Sequence, residues 1–154
     1  MLRPLAEEDV AALLAIVAQP AVAAWWGEQP LGFPLTDEPT ATRFTILDDG
    51  EVAGLIQYSE ELEPDYRHAS IDIFVDTARH GRGLGADAVQ TLADYLVAER
   101  GHHRVTIDPA SDNHAAISAY EKAGFRAVGV MRAAWRDHAT GAWRDTLFME
   151  RVVL

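Results

Sequence analysis

Apolar and polar positions alternate briefly over Leu2 to Leu5, which predicts a short first strand. Ala6-Glu7-Glu8-Asp9 then sets acidic side chains in a first helical turn, where they oppose the positive end of the helix dipole. Val10, Leu13, Leu14 and Val17 recur at helical spacing and predict the buried stripe of that helix, which Pro20 ends. Ala21 to Trp26 reads as another short helical segment, and Gly27 to Pro39, punctuated by Gly and Pro, as a loop on the substrate side. Arg43 to Leu47 and Val52 to Tyr58 flank Asp48-Asp49-Gly50 and predict a β-hairpin, because Asp-Gly supplies the positive φ angles of a tight turn. After an acidic loop from Glu60 to Asp65, Ala69 to Val75 alternates and then runs apolar, as a more buried strand does. Leu84, Ala88, Leu92, Tyr95 and Leu96 predict a long helix to about Arg100 that stops at Gly101. Arg104 to Ile107 is the next strand. Asn113 is placed to cap a helix through Lys122, with Gly124 just past its end, and Arg126 to Met131 and Trp143 to Val152 close the sheet.

A chain of 154 residues without internal repeat, low-complexity tract or linker reads as one domain over 1–154. It has no apolar run of about 18 residues and no secretory-type start, which points to a cytoplasmic protein that is not in a membrane. With no cysteine there is no disulfide, no thiolate metal site and no cysteine nucleophile, so chemistry must use oxygen and nitrogen groups. The formal net charge of -11 disfavours nucleic acid and anionic lipid as partners. The same charge suits a cationic small molecule, or serves solubility alone. The six histidines, with His102 and His103 at a helix-to-strand junction and His80 in a glycine-rich turn, suggest no metal set. Trp135, Trp143 and the last strand read either as a dimer surface or as closure of the core, leaving monomer and homodimer open.

Two segments carry chemistry. Between Phe74 and Ala86 a buried strand feeds Arg79-His80-Gly81-Arg82-Gly83-Leu84-Gly85, a glycine-rich turn that opens a helix. Glycines let main-chain amides approach an anion, and the helix N-terminus adds partial positive charge, so the turn is either a phosphate cradle or a plain structural turn. It is not a Walker A loop, since no Gly-Lys-Ser/Thr follows. In the second segment, Asn113, Ile117 and Tyr120 share one helix face ahead of Glu121-Lys122-Ala123-Gly124-Phe125. That face reads as a cap with a core aromatic, or as one wall of a site.

Together, in this order and separated by one helix and one strand, the segments resemble motifs A and B of the GNAT N-acetyltransferase superfamily. Gly83 and Gly85 match the glycines of the pyrophosphate turn, with His80 at its first position and Arg79 just before it. Asn113 and Tyr120-Glu121-Lys122-Ala123-Gly124-Phe125 match motif B. The resemblance implies an α/β GNAT fold, a mixed, mostly antiparallel sheet of six to seven strands flanked by about four helices, with acetyl-CoA as cosubstrate. It further implies that amides from Arg82 through Gly83, Leu84 and Gly85 to Ala86, with Gly81 in the same turn, hold the CoA pyrophosphate. Main chain at Phe74 and Val75 would pair with pantetheine, Asn113 would orient that arm, and Tyr120 would protonate or hydrogen-bond the leaving thiolate.

A narrower resemblance reaches the aminoglycoside 6′-N-acetyltransferases through Trp25-Trp26-Gly27-Glu28, Ile71-Asp72 and Asp108-Pro109, although the Gly27 to Thr42 region is shorter here. It implies a cationic amine acceptor, with Asp72 taking the proton directly or through water, Asp108 and one or more of Glu28, Glu60 and Glu61 holding other ammonium groups, and Trp26 covering a sugar ring. Acceptors of other kinds within the same fold are a protein N-terminus, a lysine or a polyamine. A CoA-binding sensor without catalysis is the reading from another class.

Overall fold

A computed structural model describes residues 1–36 and 40–154, so the end of the expected Gly27 to Pro39 loop lies outside the described residues. Among these residues the strands are β1 (Leu2–Pro4), β2 (Thr42–Asp48), β3 (Glu51–Glu61), β4 (His68–Val75), β5 (Arg104–Ile107), β6 (Arg126–Arg136) and β7 (Trp143–Val152). They form one sheet in the order β1-β2-β3-β4-β5-β7-β6. Neighbours are antiparallel except β4 and β5, which run parallel. The helices are α1 (Val10–Val17), α2 (Pro20–Trp26), α3 (Leu84–Ala98) and α4 (His114–Lys122). This is the expected α/β architecture, with a seven-stranded mixed sheet.

Local chemistry explains the best-defined turn. Asp49 and Gly50 both adopt positive φ, 50° and 80°, as the two central residues of a tight hairpin require, and they join β2 to β3. The alternation along each strand then divides the core. Ile56, Tyr58, Ile71, Val105 and Ile107 pack with Val89, Leu92 and Leu96 of α3 and Tyr120 of α4, whereas Leu55 and Phe74 pack with Leu13, Ile16 and Val17 of α1 and Val22 of α2. The sheet is thus covered on both sides, and residues two apart on one strand face the same layer.

Several boundaries differ from the sequence expectation. In α1, Leu14 is 41% exposed and Ile16, 4% exposed, takes its place in the core. Pro20 opens α2 rather than closing α1, which ends at Val17, because a proline at a first helical position loses no intrahelical bond. β3 continues through Glu60 and Glu61, which pair with Ala69 and His68, so the acidic loop starts after them. β6 runs on to Arg136 as an edge strand exposed along nearly its whole length.

The first helical turn is fastened to the sheet by one buried carboxylate. Asp9 accepts hydrogen bonds from Arg3 Nη1 and Nη2 at 2.9 and 2.8 Å, from Thr45 Oγ1 at 2.7 Å and from the Ala6 amide at 3.0 Å. The Arg3 guanidinium, followed by Thr45 and the Ala6 amide, holds this carboxyl below the usual carboxylate range despite its burial. A depressed carboxyl contributes stability above its unfolded pKa of about 3.9 and loses it as pH falls through the folded value. Asp9→Ala is therefore expected to cost about 2 to 3 kcal/mol at pH 7, with the gap to the parent protein narrowing below about pH 4; urea midpoints across that range check it.

Candidate functional site

β4 and β5 share ladder positions at Ala69 with Val105 and Ser70 with Thr106, and then part. Each is drawn to its other neighbour. β4 stays paired with β3 as far as Val75 opposite Gly54, while the chain beyond β5 follows β7 through Leu147 N donating to the Pro109 carbonyl at 2.9 Å and an Ala110 bridge to Thr146. Pro109 has no N–H to offer back to β4. The parting opens a crevice of about 950 Å³. Its walls come from β4, from the turn and first residues of α3, from α4, from α2, and from the β6–β7 hairpin through Trp135, Asp137 and Arg144.

At one end lies the glycine-rich turn. Gly81 and Gly83 have φ of 79° and 80°, a region that other residues enter at a cost, and a Cβ added at Gly81, Gly83 or Gly85 would meet no atom within 4 Å. The surface there is main chain facing open space. Gly83 is the N-cap of α3, so the amides of Leu84, Gly85 and Ala86 begin that helix without intrahelical partners. Of the predicted turn residues, Arg79, His80, Gly81, Gly83, Leu84, Gly85 and Ala86 line the crevice, and Arg82 does not. Both arginines are engaged by the β2–β3 hairpin: Arg79 contacts Asp48 at 2.7 Å and Glu51 at 2.5 Å, and Arg82 contacts Asp48 at 2.7 Å. The anion-facing donors of this turn are thus amides. His80 Nε2 lies 3.0 Å from the Val75 carbonyl, which makes that nitrogen a donor and occupies one main-chain group predicted for the pantetheine arm. Phe74 and Val75 line the crevice beside it.

Further along stand the carboxylates. Extending the parallel register by two residues sets Asp72 of β4 level with Asp108 just after β5, on the face that also carries Phe74 and Leu55. Asp72 opens to solvent in the crevice, yet protein surrounds it on the other sides. Desolvation therefore raises its pKa, against a lowering hydrogen bond from Gln57. Asp108 is raised to about 6, first by burial and then by the charge on Asp72. Tyr120 reaches the crevice from α4, whose N-cap Asn113 accepts a hydrogen bond from the Ala116 amide at 3.1 Å. Burial first, then Asp72 and Asp108, push its phenol well above the ordinary tyrosine range, so it keeps its proton throughout the neutral region.

The other predicted acceptor residues divide. Trp26 lines the crevice, but its ring also packs edge-on against Phe74 at 5.0 Å and near Phe33 at 6.4 Å. Glu28, Glu60 and Glu61 do not line it. Glu60 is bound by Arg100 at 2.8 Å and His102 at 2.5 Å, partners 40 and 42 residues away that the sequence pattern does not connect to it. The sequence does not mark the hairpin wall as part of a site: Trp135, expected at a dimer surface or in the core, meets Trp25 at 4.4 Å between ring centroids, and Asp137 and Arg144 are joined by a 2.9 Å contact. Their signal, an aspartate closing a predicted hairpin, is too common to single them out. Among the described residues no three His, Cys, Asp or Glu side chains gather where they would share a metal ion, and no single helix is long and apolar enough to cross a membrane.

A mixed sheet that opens between two parallel strands, with a glycine-rich helix start at the opening, defines a class of α/β ligand-binding folds. The model of the acetyltransferase (GNAT) family matches residues 8–125, and the chain belongs to that family. It is 27% identical over 153 residues to the aminoglycoside N(6′)-acetyltransferase type 1 of Klebsiella pneumoniae, covering 84% of this chain and 75% of that protein. Over a shorter stretch it is 30% identical to the probable N-acetyltransferase YjcK of Bacillus subtilis, with 62% of this chain and 55% of that protein covered. Two solved structures share the fold. Aminoglycoside acetyltransferase AAC(6′)-Ib with coenzyme A and kanamycin has a TM-score of 0.78 at 23% identity, covering 99% of this chain and 94% of the other. Spermidine N-acetyltransferase of Vibrio cholerae with CoA and spermine has 0.82 at 20% identity, with the same coverage of each chain.

The electrostatic coupling in the crevice is measurable. Carboxyl carbon NMR of Asp108 is expected to show a midpoint of about 6, and Asp72→Asn is expected to lower it, because removing a neighbouring negative charge favours ionisation.

Proposed function

We propose that this chain, acting as one catalytic domain over 1–154, transfers an acetyl group from acetyl-CoA directly to a primary amine of a small polycation, with an aminoglycoside 6′-amine as the preferred acceptor. The observation that carries this reading is the pairing of Asp72 with Asp108 at the parted strand ends, both raised in pKa and both acting electrostatically on Tyr120. Two adjacent desolvated carboxylates are unfavourable by themselves and are relieved by ammonium groups.

The donor end suits acetyl-CoA. Open space above Gly81, Gly83 and Gly85 leaves room for a diphosphate against the unpartnered amides of Leu84, Gly85 and Ala86. Phosphate charge is thereby met by dipoles, which leaves Arg79 and Arg82 to hold the β2–β3 hairpin. The pantetheine arm lies along Phe74 and Val75, with the Asn113 end of α4 opposite.

At the acceptor end, an amine of pKa about 8 to 10.4 must lose a proton, at a cost of about 1.4 to 4.6 kcal/mol at pH 7. Asp72 takes that proton, directly or through water, while Asp108 holds a second ammonium group. The freed amine forms the C–N bond at the thioester carbonyl, and an amide near Val75 faces the developing oxyanion. As the C–S bond breaks and the nitrogen gives up its second proton to water, sulfur leaves as a thiolate of pKa about 8.5, below that of the Tyr120 phenol. Tyr120 accordingly stabilises the leaving group by donating a hydrogen bond rather than by giving up its proton outright.

A polyamine acceptor is the second reading, supported by the likeness to the spermidine enzyme and by the same carboxylate pair. Thiol release from acetyl-CoA with kanamycin-like aminoglycosides, spermidine and lysine or N-terminal peptides decides among them. Turnover with the aminoglycosides and none with peptides is expected, and the reverse rejects the acceptor assignment. Tyr120→Phe is expected to lower kcat about 10²-fold with little change in acetyl-CoA affinity. Gly85→Val should leave the melting temperature within a few degrees, since its side chain enters open space, yet abolish measurable acetyl-CoA binding by calorimetry.

A further inference from the structure

A polar row crosses the sheet at right angles to its strands. The pairing registers set Arg43 of β2 opposite Gln57 of β3, and Gln57 opposite Asp72 of β4. Gln57 interrupts an otherwise apolar buried run from Ala53 to Tyr58 and is itself 8% exposed. A carboxamide in that position needs partners for both its ends. Arg43, 9% exposed, donates from Nε to Gln57 Oε1 at 2.9 Å. A guanidinium has no acceptor, so the amide oxygen must face β2 and the NH2 group must face the other way, toward Asp72. Arg43 is fixed in turn: Nη1 donates to the Pro34 carbonyl at 2.8 Å and to the Thr36 carbonyl, and the guanidinium lies 5.1 Å from the centre of the Phe33 ring.

We infer that Gln57 is a positioning residue for the reaction, locked by Arg43 in the one amide orientation that donates a hydrogen bond to Asp72 and keeps that carboxylate aimed into the crevice. The inference rests on the reading of Asp72 as the acceptor-side base. The remaining charged or titratable groups in the crevice work differently. Asp108, after β5, is disfavoured in its charged form by Asp72; Tyr120 on α4 stays neutral; Asp112 and Lys122 flank the two ends of α4; Arg79 is held by Asp48 and Glu51 and His80 by the Val75 carbonyl; Asp137 and Arg144 of the β6–β7 hairpin are paired with each other, and α2 contributes the uncharged Trp25 and Trp26. Gln57 is the neighbour whose hydrogen bond opposes the cost of desolvating Asp72. It does so without placing a second positive charge where the substrate ammonium must sit, which an arginine or lysine in its place would do.

The row also joins Asp72 to the segment between α2 and β2. Arg43 binds that segment's carbonyls with one part of its guanidinium and Gln57 with another, so the segment's position and the direction of the amide are set together. Its Phe33 packs near Trp26, which lines the crevice.

The test uses the full chain with Gln57→Leu and with Gln57→Glu, the latter isosteric and able to pair with Arg43 if the leucine variant does not fold. Asp72 is titrated by carboxyl carbon NMR in the free protein, and the pH profile of kcat/KM for the acceptor is recorded beside it. Removing the donor in Gln57→Leu is expected to raise the Asp72 midpoint, and a carboxylate at position 57 to raise it further. The acid limb of kcat/KM should move up by the same amount while KM for acetyl-CoA is unchanged. An Asp72 midpoint that does not move in either variant overturns the inference. Asp72→Asn separates this from the reading beneath it: full activity in that variant removes Asp72 from the chemistry, whatever the midpoints in the Gln57 variants do.

Discussion

Two parallel strands that begin together and then part impose most of what matters in this molecule. β4 and β5 share Ala69, Ser70, Val105 and Thr106, after which β3 keeps hold of one and β7 of the other. Parallel neighbours require a long crossover, and here α3 supplies it, so the helix start and its glycine turn arrive next to the opening. α4 follows the other strand and brings Tyr120 to the same gap. Main-chain groups that would pair across a closed sheet face the crevice instead. Had β5 continued along β4, the donor channel and the approach of Asp72 to Asp108 would both be lost, with little change in the rest of the core.

Charge is sorted along this opening in a way that net charge does not reveal. The chain carries a formal -11, yet the turn end presents uncharged amide donors, with Arg79 and Arg82 committed to Asp48 and Glu51. The Asp72 end concentrates two carboxylates whose ionisation is opposed by burial and, for Asp108, by the charge on Asp72. Negative and positive ligand charge would thereby find their complements at opposite ends of the crevice. The buried phenol is part of the same field, because negative charge on both aspartates makes its proton harder to remove.

Features fixed by neighbours in sequence are legible in the residue pattern alone. The Asp48-Asp49-Gly50 turn, the Asn113 cap and the start of α3 at Leu84 each depend on a few adjacent residues, and each lies where the pattern places it. The choice between Leu14 and Ile16 for the core is not legible, since both lie near the apolar arc of a short helix and the packing partners decide. Glu60, which reads as the start of an acidic loop and, through the narrower family resemblance, as an acceptor ligand, is engaged instead by Arg100 and His102 through contacts across the fold. Asp137 and Arg144 escape notice for the same reason. Gln57 is readable in principle, as a lone amide in an apolar strand, but its meaning depends on which residues the register sets on either side.

One wall of the crevice comes from a different part of the chain than the glycine-rich turn. The family match ends at Phe125, and the β6–β7 hairpin begins just after it. That hairpin folds back over α2: Trp135 meets Trp25, the His138 amide donates to the Ala24 carbonyl at 3.0 Å, and the His138 ring lies so close to Gly27 that a Cβ there would clash with it. Asp137 stiffens the bend by accepting from the Ala139 and Thr140 amides and from Arg144. Such bracing holds Trp135, Asp137 and Arg144 in place as one wall of the crevice beside α2. The glycine-rich turn and α4 lie within residues 8–125, the stretch that the family model matches. The remaining wall of the crevice is set by how the hairpin beyond that stretch closes against α2, through Trp135 on Trp25 and His138 on Ala24.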